Sequence, residues 1–166
     1  SDAQRVVRRV LLARAFDRAN TLDSAAASYG SAATRLPEAA DWLRLRAAGA
    51  LADSAARATQ FARLTTPVAR TRIPWTDAQA RERVGDFAGA ARLYRSVSAE
   101  ASALRVEALA ARDESNRSSL AARIAAYLGT AQPTADVRQV LDVLDRAKLT
   151  LSREQELVVA RAAADV

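Results

Sequence analysis

Alanine fills 42 of the 166 positions, while glycine and proline together fill nine. Alanine is the best helix former and has little to offer a pleated sheet, and only 5% of the residues are aromatic. The same scarcity of glycine and proline excludes collagen-like, linker-like and low-complexity classes. A length of 166 residues suffices for one domain with its own core, or for a short repeat array. Cysteine is absent, so no disulfide framework and no thiol nucleophile can exist. Histidine is absent too, which removes Ser-His-Asp triads, histidine zinc sites and imidazole acid–base chemistry. Function therefore has to be sought in organisation.

The chain carries 25 basic and 19 acidic residues, a net charge of +6, and its pI is near 10.8. Lys148 is the single lysine; the other basic residues are arginine. Such a surface suits phosphates, carboxylates or acidic polymers. Acidic residues are interleaved along most of the chain, however, and an arginine-for-lysine bias accounts for most of the pattern without a ligand. Nucleic acid is disfavoured as a partner, because no binding motif, lysine-rich stripe or interleaved aromatics accompany the charge. No apolar run is long enough for a transmembrane segment. Ser1-Asp2-Ala3-Gln4-Arg5 opens straight into a polar helix with no signal peptide visible, and a start without methionine suggests a mature or excised piece of a longer protein.

Apolar residues recur at helical spacing nearly everywhere. Val137, Val140, Leu141 and Leu144 form one stripe behind the cap candidate Thr134. Phe87, Ala90, Ala91 and Tyr94 repeat the spacing after Asp86, and Val7, Val10, Leu11 and Ala15 give a stripe in the first helix. Ser152 and Gln155 form a capping box ahead of Leu157, Val158 and Val159. No strict two-residue alternation bounded by hairpin turns is found. Breakers at Leu36-Pro37, Thr66-Pro67, Ile73-Pro74, Gly85-Asp86, Gly129 and Gln132-Pro133 divide the chain into helices over 2–19, 22–35, 38–51, 53–65, 75–84, 86–97, 99–111, 114–128, 134–147 and 152–165. Short connections imply antiparallel neighbours. The stretch from Ala39 to Ala52 is charged only at Asp41, Arg44 and Arg46, so it must be covered on more than one side.

A repeat is visible as well. Gly85-Asp86-Phe87 runs on to Ala90, Tyr94 and Val97. Asn20-Thr21-Leu22, followed by Ala25, Tyr29 and Ala32, matches it position for position. Glycine or asparagine can take the left-handed turn conformation. The small residue lets helices approach, and the aromatic fills the gap one turn on. Ala25 and Ala90 lie 65 residues apart, about two units, and further copies can be placed at Ala58 with Ala62 and at Ala122 with Ala126. The half-motif resembles the second helix of a tetratricopeptide repeat, although the first-helix signature is not recognisable. The expected fold is therefore all-α: one helical-repeat domain over 1–166, a right-handed solenoid of antiparallel helical hairpins. Its repeat-motif positions are Ala25, Tyr29, Ala32, Gly85, Phe87, Ala90 and Tyr94.

Tyr29, Leu36-Pro37, the run from Asp41-Trp42-Leu43 to Ala48, Gly85-Asp86-Phe87 and Tyr94 together resemble the N-terminal superhelical region of soluble lytic murein transglycosylases. In that family the helical region accompanies a separate lysozyme-like domain that cleaves peptidoglycan with one glutamate. The resemblance implies a non-catalytic scaffold in the bacterial periplasm or cell envelope that positions glycan strands or a catalytic-domain partner, with no cofactor. The parent protein would be the enzyme, and this segment would not. The family marks its glutamate by Glu-Ser followed by an aromatic. Glu114-Ser115 is followed here by Asn116-Arg117, and its polar surroundings make Glu114 a first-turn acid favourable to the helix dipole. The alternative is a tetratricopeptide-like protein-binding adaptor of the envelope.

Other chemistry is thin. The sequence offers no glycine-rich phosphate loop and no calcium-loop spacing, and no metal site is expected. Asp142 and Asp145 are read as balancing Arg138 and Arg146. Arg5, Arg8 and Arg9 share a face of the first helix and could hold an anionic polymer, but as an end-helix trio they need no ligand. Arg70, Arg72 and Trp75 are the ligand-binding candidates: a ring can stack on a sugar face while arginine pairs with the carboxylate of a lactyl-peptide stem. The competing reading packs Trp75 at a helix start and leaves the arginines solvated. Trp42, flanked by apolar residues, is expected in the core. Leu157, Val158 and Val159 are expected to leave an apolar face for a further repeat or a second copy.

Overall fold

The structure is a computed structural model that describes residues 2–132 and 134–166, with side chains from residue 4 onward. Ser1, and Pro133 of the Gln132-Pro133 break, lie outside the described residues. Every regular element among the described residues is helical. The order is α1 (Asp2–Arg18), α2 (Leu22–Ala33), a 3-10 turn (Pro37–Ala39), α3 (Ala40–Ala50), α4 (Ser54–Ala62), α5 (Pro67–Arg70) and α6 (Ile73–Arg83). It continues with α7 (Phe87–Ser96), α8 (Glu100–Ala110), α9 (Glu114–Thr130), α10 (Ala135–Ala147) and α11 (Arg153–Ala164). Two boundaries depart from expectation. Residues 67–70 form a helical turn between two expected helices, capped by Thr66 Oγ1 accepting from the Ala69 amide. Helix α6 starts at Ile73 because Pro74 occupies its first turn, where a missing N–H costs nothing.

The helices fall into two compact units, Ser1–Asp86 and Phe87–Val166. In the first, α2 packs on α1 and on α3, and α3 is also covered by α4 and α6, as its near-absence of charge requires. Ala40, Leu43, Ala47, Ala48 and Ala50 are buried along it. The core here is mostly alanine arranged around Val6, Tyr29 and Leu43. The stripe that α1 buries differs from the expected one. Val6 and Ala13 are buried with Val10 and Phe16 packed beside them, while Val7 and Leu11 are 56% and 58% exposed and Ala15 is exposed. Two stripes of helical spacing coexist on this helix. The buried one is the one that carries Ala13, whose methyl group permits close approach.

The two motif copies share a turn geometry. Asn20 and Gly85 both adopt positive φ, 56° and 82°. In each case the next amide donates back five residues: Thr21 to the Phe16 carbonyl and Asp86 to the Arg81 carbonyl, both at 2.9 Å. This is a left-handed helix stop that satisfies a terminal carbonyl. Ala25, Tyr29, Ala32, Ala90 and Tyr94 are all buried, and Phe87 is half-buried. The additional copies fail. Ala58, Ala62, Ala122 and Ala126 are exposed, and in α4 the buried position is Arg57 instead. In a chain so rich in alanine, spacing alone cannot distinguish a small residue at a helix crossing from one facing water.

Arg57, 2% exposed, is held as a buried charge must be. Its Nε donates to Asp77 Oδ1 at 2.7 Å and its Nη1 to the Leu51 and Ala52 carbonyls at 3.0 and 2.6 Å, closing the end of α3. Asp77 also accepts from Arg81, and Arg81 donates to Asp86 at 2.7 Å. The aspartate of the Gly85-Asp86 turn thus anchors a chain of ion pairs running back to α3.

In the second unit α7 packs on α8, α8 on α10 and α9 on α11. The core is branched: Leu104, Leu120, Ile124, Leu128, Val137, Val140, Val143 and Leu144. The capping box at Ser152 and Gln155 is formed, and Asp113 caps α9 by accepting from the Asn116 amide at 2.8 Å. On α11, Val158, Val159 and Ala162 pack against this core, whereas Leu157 is 68% exposed. The open face expected on that helix is reduced to Leu157.

Candidate functional site

The first unit contains a cleft of about 440 Å³ between α3 and α6, which Asp17 of α1 also lines. Trp42, Leu45, Arg46 and Gly49 line it from α3. Arg72, Trp75, Thr76, Gln79 and Arg83 line it from the start and body of α6. Gly49 faces Thr76 across the cleft, where a Cβ added to the glycine would make ordinary contact with the threonine methyl at 3.5 Å.

Both tryptophans of the chain line this cleft. Trp42 is half exposed, not buried in the core as expected. Helix α3 is covered by α2, α4 and α6, and Trp42 stands on the sector they leave open. Its ring meets Tyr29 edge-on, with centroids 6.3 Å apart at 84°, so the buried tyrosine of the repeat motif fixes its orientation. The Arg46 guanidinium lies 5.7 Å from the Tyr29 ring centroid and donates to Asp17 Oδ2 at 2.9 Å. Arg83 donates to the Gly49 carbonyl at 2.9 Å and lies 3.4 Å from Asp17 Oδ1. One aspartate thus orients two arginines, and Arg72 adds an exposed third whose side chain makes no ion pair among the described residues.

Of the three ligand-binding candidates, Arg72 and Trp75 come together in this cleft and Arg70 does not. Arg70 is turned the other way: its Nε and Nη2 donate to the Leu64 carbonyl at 3.1 and 3.0 Å and brace the loop before α5. The sequence reading missed Trp42, Arg46, Arg83 and Asp17. Their arrangement depends on a contact between α1, α3 and α6 that no local spacing announces. Arg9 is committed to Ser31 of α2, so the Arg5, Arg8 and Arg9 trio is not a set of three solvated cations. Asp142 and Arg146 stand 3.9 Å apart, as charge balance suggested, while Arg138 donates to the Val166 carbonyl.

Elsewhere ionised groups serve structure. Asp41 accepts from the Thr66 and Thr65 amides at 2.7 and 3.0 Å and from both hydroxyls. The Thr66 amide leads this set of donors, which holds the carboxyl well below the usual carboxylate range although desolvation acts in the opposite sense. In the second unit, burial pushes Glu107 up, but bonds from Arg95 (2.8 Å) and Arg123 (2.6 Å) outweigh it and hold the group low. Glu114 is exposed in the first turn of α9. Among the described residues no cluster of acidic side chains could hold a metal ion, and no helix is long and apolar enough to cross a membrane. Compared with known protein families, curated proteins and solved structures, the chain has no significant match.

Proposed function

We propose that this chain is a non-catalytic helical binding module whose α3–α6 cleft takes a sugar face bearing a neighbouring carboxylate, the chemistry of peptidoglycan glycan strands. The observation that carries the reading is the pairing of a half-exposed Trp42 with Trp75 and Arg72 around one cleft. An indole face is a platform for a sugar ring, and an arginine fork matches a carboxylate. Arg46 and Arg83, both already oriented by Asp17, leave the cleft with more positive than negative charge. The role is the one implied by resemblance to the superhelical region of soluble lytic murein transglycosylases: to position strands or a separate catalytic domain in the cell envelope. The finer fold reading, a tetratricopeptide-like superhelix, belongs with this proposal. It is supported by the matching turns at Asn20 and Gly85 and, in the second unit, by the packing of α8 on α10 and of α9 on α11, a relation that stacked hairpins produce.

Titration of the whole chain with soluble muropeptides, followed by tryptophan fluorescence, and co-sedimentation with purified sacculi test the proposal. Saturable binding that weakens about tenfold or more in Trp75→Ala and Arg72→Ala is expected, a loss of about 1.4 kcal/mol. Absence of co-sedimentation at low salt would end the glycan reading, and turnover of peptidoglycan by this segment would end the non-catalytic one.

A further inference from the structure

The second unit carries a groove of different chemistry. It lies between α8 and α10 with a volume of about 420 Å³. Its floor is aliphatic, built from Ala108, Val143 and the half-exposed Leu109, and among the described residues no aromatic ring lines it. Its rim bears the exposed Arg112 and Arg146 against the single carboxylate of Asp142. The Arg146–Asp142 pair is long at 3.9 Å and both side chains are mostly in water, so an incoming carboxylate can replace it at little cost.

We infer that this groove docks a peptide segment in which aliphatic side chains alternate with carboxylates. The charge of the rim selects acidic ligands, and the floor selects among them. A bare polyanion leaves the half-exposed Leu109 uncovered and gains nothing from it, and a sugar finds no aromatic platform. A leucine-sized side chain flanked by glutamates covers the floor and meets the rim together, so apolar burial and charge pairing act in the same pose. The groove is separate from the tryptophan cleft in residues and in chemistry, so either can fail without the other.

The test uses the whole chain and fluorescence anisotropy of a short dye-labelled peptide alternating leucine with glutamate. Binding should weaken about tenfold or more when serine replaces the leucines, and comparably when glutamine replaces the glutamates. Arg112→Glu combined with Arg146→Glu, both exposed positions that leave the core intact, should abolish binding without changing the circular dichroism spectrum. Leu109→Ser should weaken it severalfold, whereas Trp75→Ala should leave it unchanged. Three results would overturn the inference: no binding at low salt, equal affinity for the serine peptide, or displacement by heparin as effective as by unlabelled peptide.

Discussion

The two units solve the same packing problem with different side chains. The first surrounds Val6, Tyr29 and Leu43 with alanines; the second interlocks leucines, valines and one isoleucine. Alanine lets helices approach closely but buries little area per residue, so an alanine core draws less from the hydrophobic effect. The first unit compensates with polar construction: Arg57 on Asp77 and two carbonyls, Asp41 on two threonines, and Asp17 between two arginines. These devices place charge and aromatic surface close together, and the tryptophan cleft stands among them. The second unit has a polar network of its own, Arg95 and Arg123 on Glu107, but none of those side chains lines the groove between α8 and α10, whose floor is aliphatic.

The largest expected difference follows from Tyr29. It is fully buried in a core made mostly of alanine, with the Trp42 ring edge-on to it, and alanines have no side-chain length with which to collapse into a gap. Tyr29→Ala should cost about 3–5 kcal/mol, near the upper end for an aromatic truncation. Ile124→Ala, among flexible leucines that can partly refill the space, should fall in the lower part of the ~2–5 kcal/mol range for aliphatic truncations. Denaturant unfolding followed by circular dichroism measures both, and tryptophan fluorescence follows the first unit, which holds both Trp42 and Trp75. A smaller loss for Tyr29→Ala than for Ile124→Ala would show that the alanine core relaxes after all.

Acid should separate the units next. Asp41 in the first and Glu107 in the second are both held below their ordinary values, 3.8 and 4.5. For a carboxyl depressed in the folded state, the unfolded chain binds more protons, so stability rises with pH across the interval between the two values. Both contributions are fully present above the ordinary values and are lost as pH falls below them toward the folded ones. Asp41, the more strongly depressed, should make the first unit the steeper in its acid response. Asp41→Asn, which removes a charged acceptor from several donors, should cost about 1.5–3 kcal/mol at neutral pH and flatten the acid limb of a denaturation series followed by tryptophan fluorescence. An unchanged limb would assign the acid sensitivity to other carboxylates.

How much of this was legible in the sequence depended on whether the deciding interaction was local. Helix spans, the stripes of α7 and α10, the covering of α3 and the Ser152 capping box were readable because period and cap chemistry act within a few residues. The face of α1 was misread because alanine belongs equally to both candidate stripes, and partner helices choose between them. Trp42 was misassigned to the core because apolar neighbours along a helix do not reveal which sector its partners leave open. Arg57 and Arg70 look like surface cations in sequence. Their acceptors lie on Asp77, 20 residues away, and on carbonyls freed at helix ends. Of the cleft's aromatic and charged residues, Arg72 and Trp75 were visible in the sequence, while Asp17, Trp42, Arg46 and Arg83 waited on the meeting of α1, α3 and α6.

The smallest effects test whether the two motif copies are equivalent physically as well as by alignment. Gly85 sits at φ 82°, and a Cβ built there meets nothing within 4 Å. Any penalty for a side chain is therefore backbone strain alone, about 1–2 kcal/mol for alanine in the left-handed region. Asparagine tolerates that region better because its short polar side chain bonds locally, and Asn20 adopts it at φ 56° in the other copy. Gly85→Asn should therefore cost less than Gly85→Ala, about half as much, and both should leave the Asp86 amide bonded to the Arg81 carbonyl. Urea denaturation midpoints of the two variants, with hydrogen exchange at Asp86, provide the measurement. If asparagine costs as much as alanine, the turn before α7 demands more than a left-handed residue, and its likeness to the turn before α2 ends at the backbone trace. If the expected order holds, one stop signal written with two different residues closes α1 and α6 alike, and the buried tyrosine nine residues on follows from the register that stop imposes.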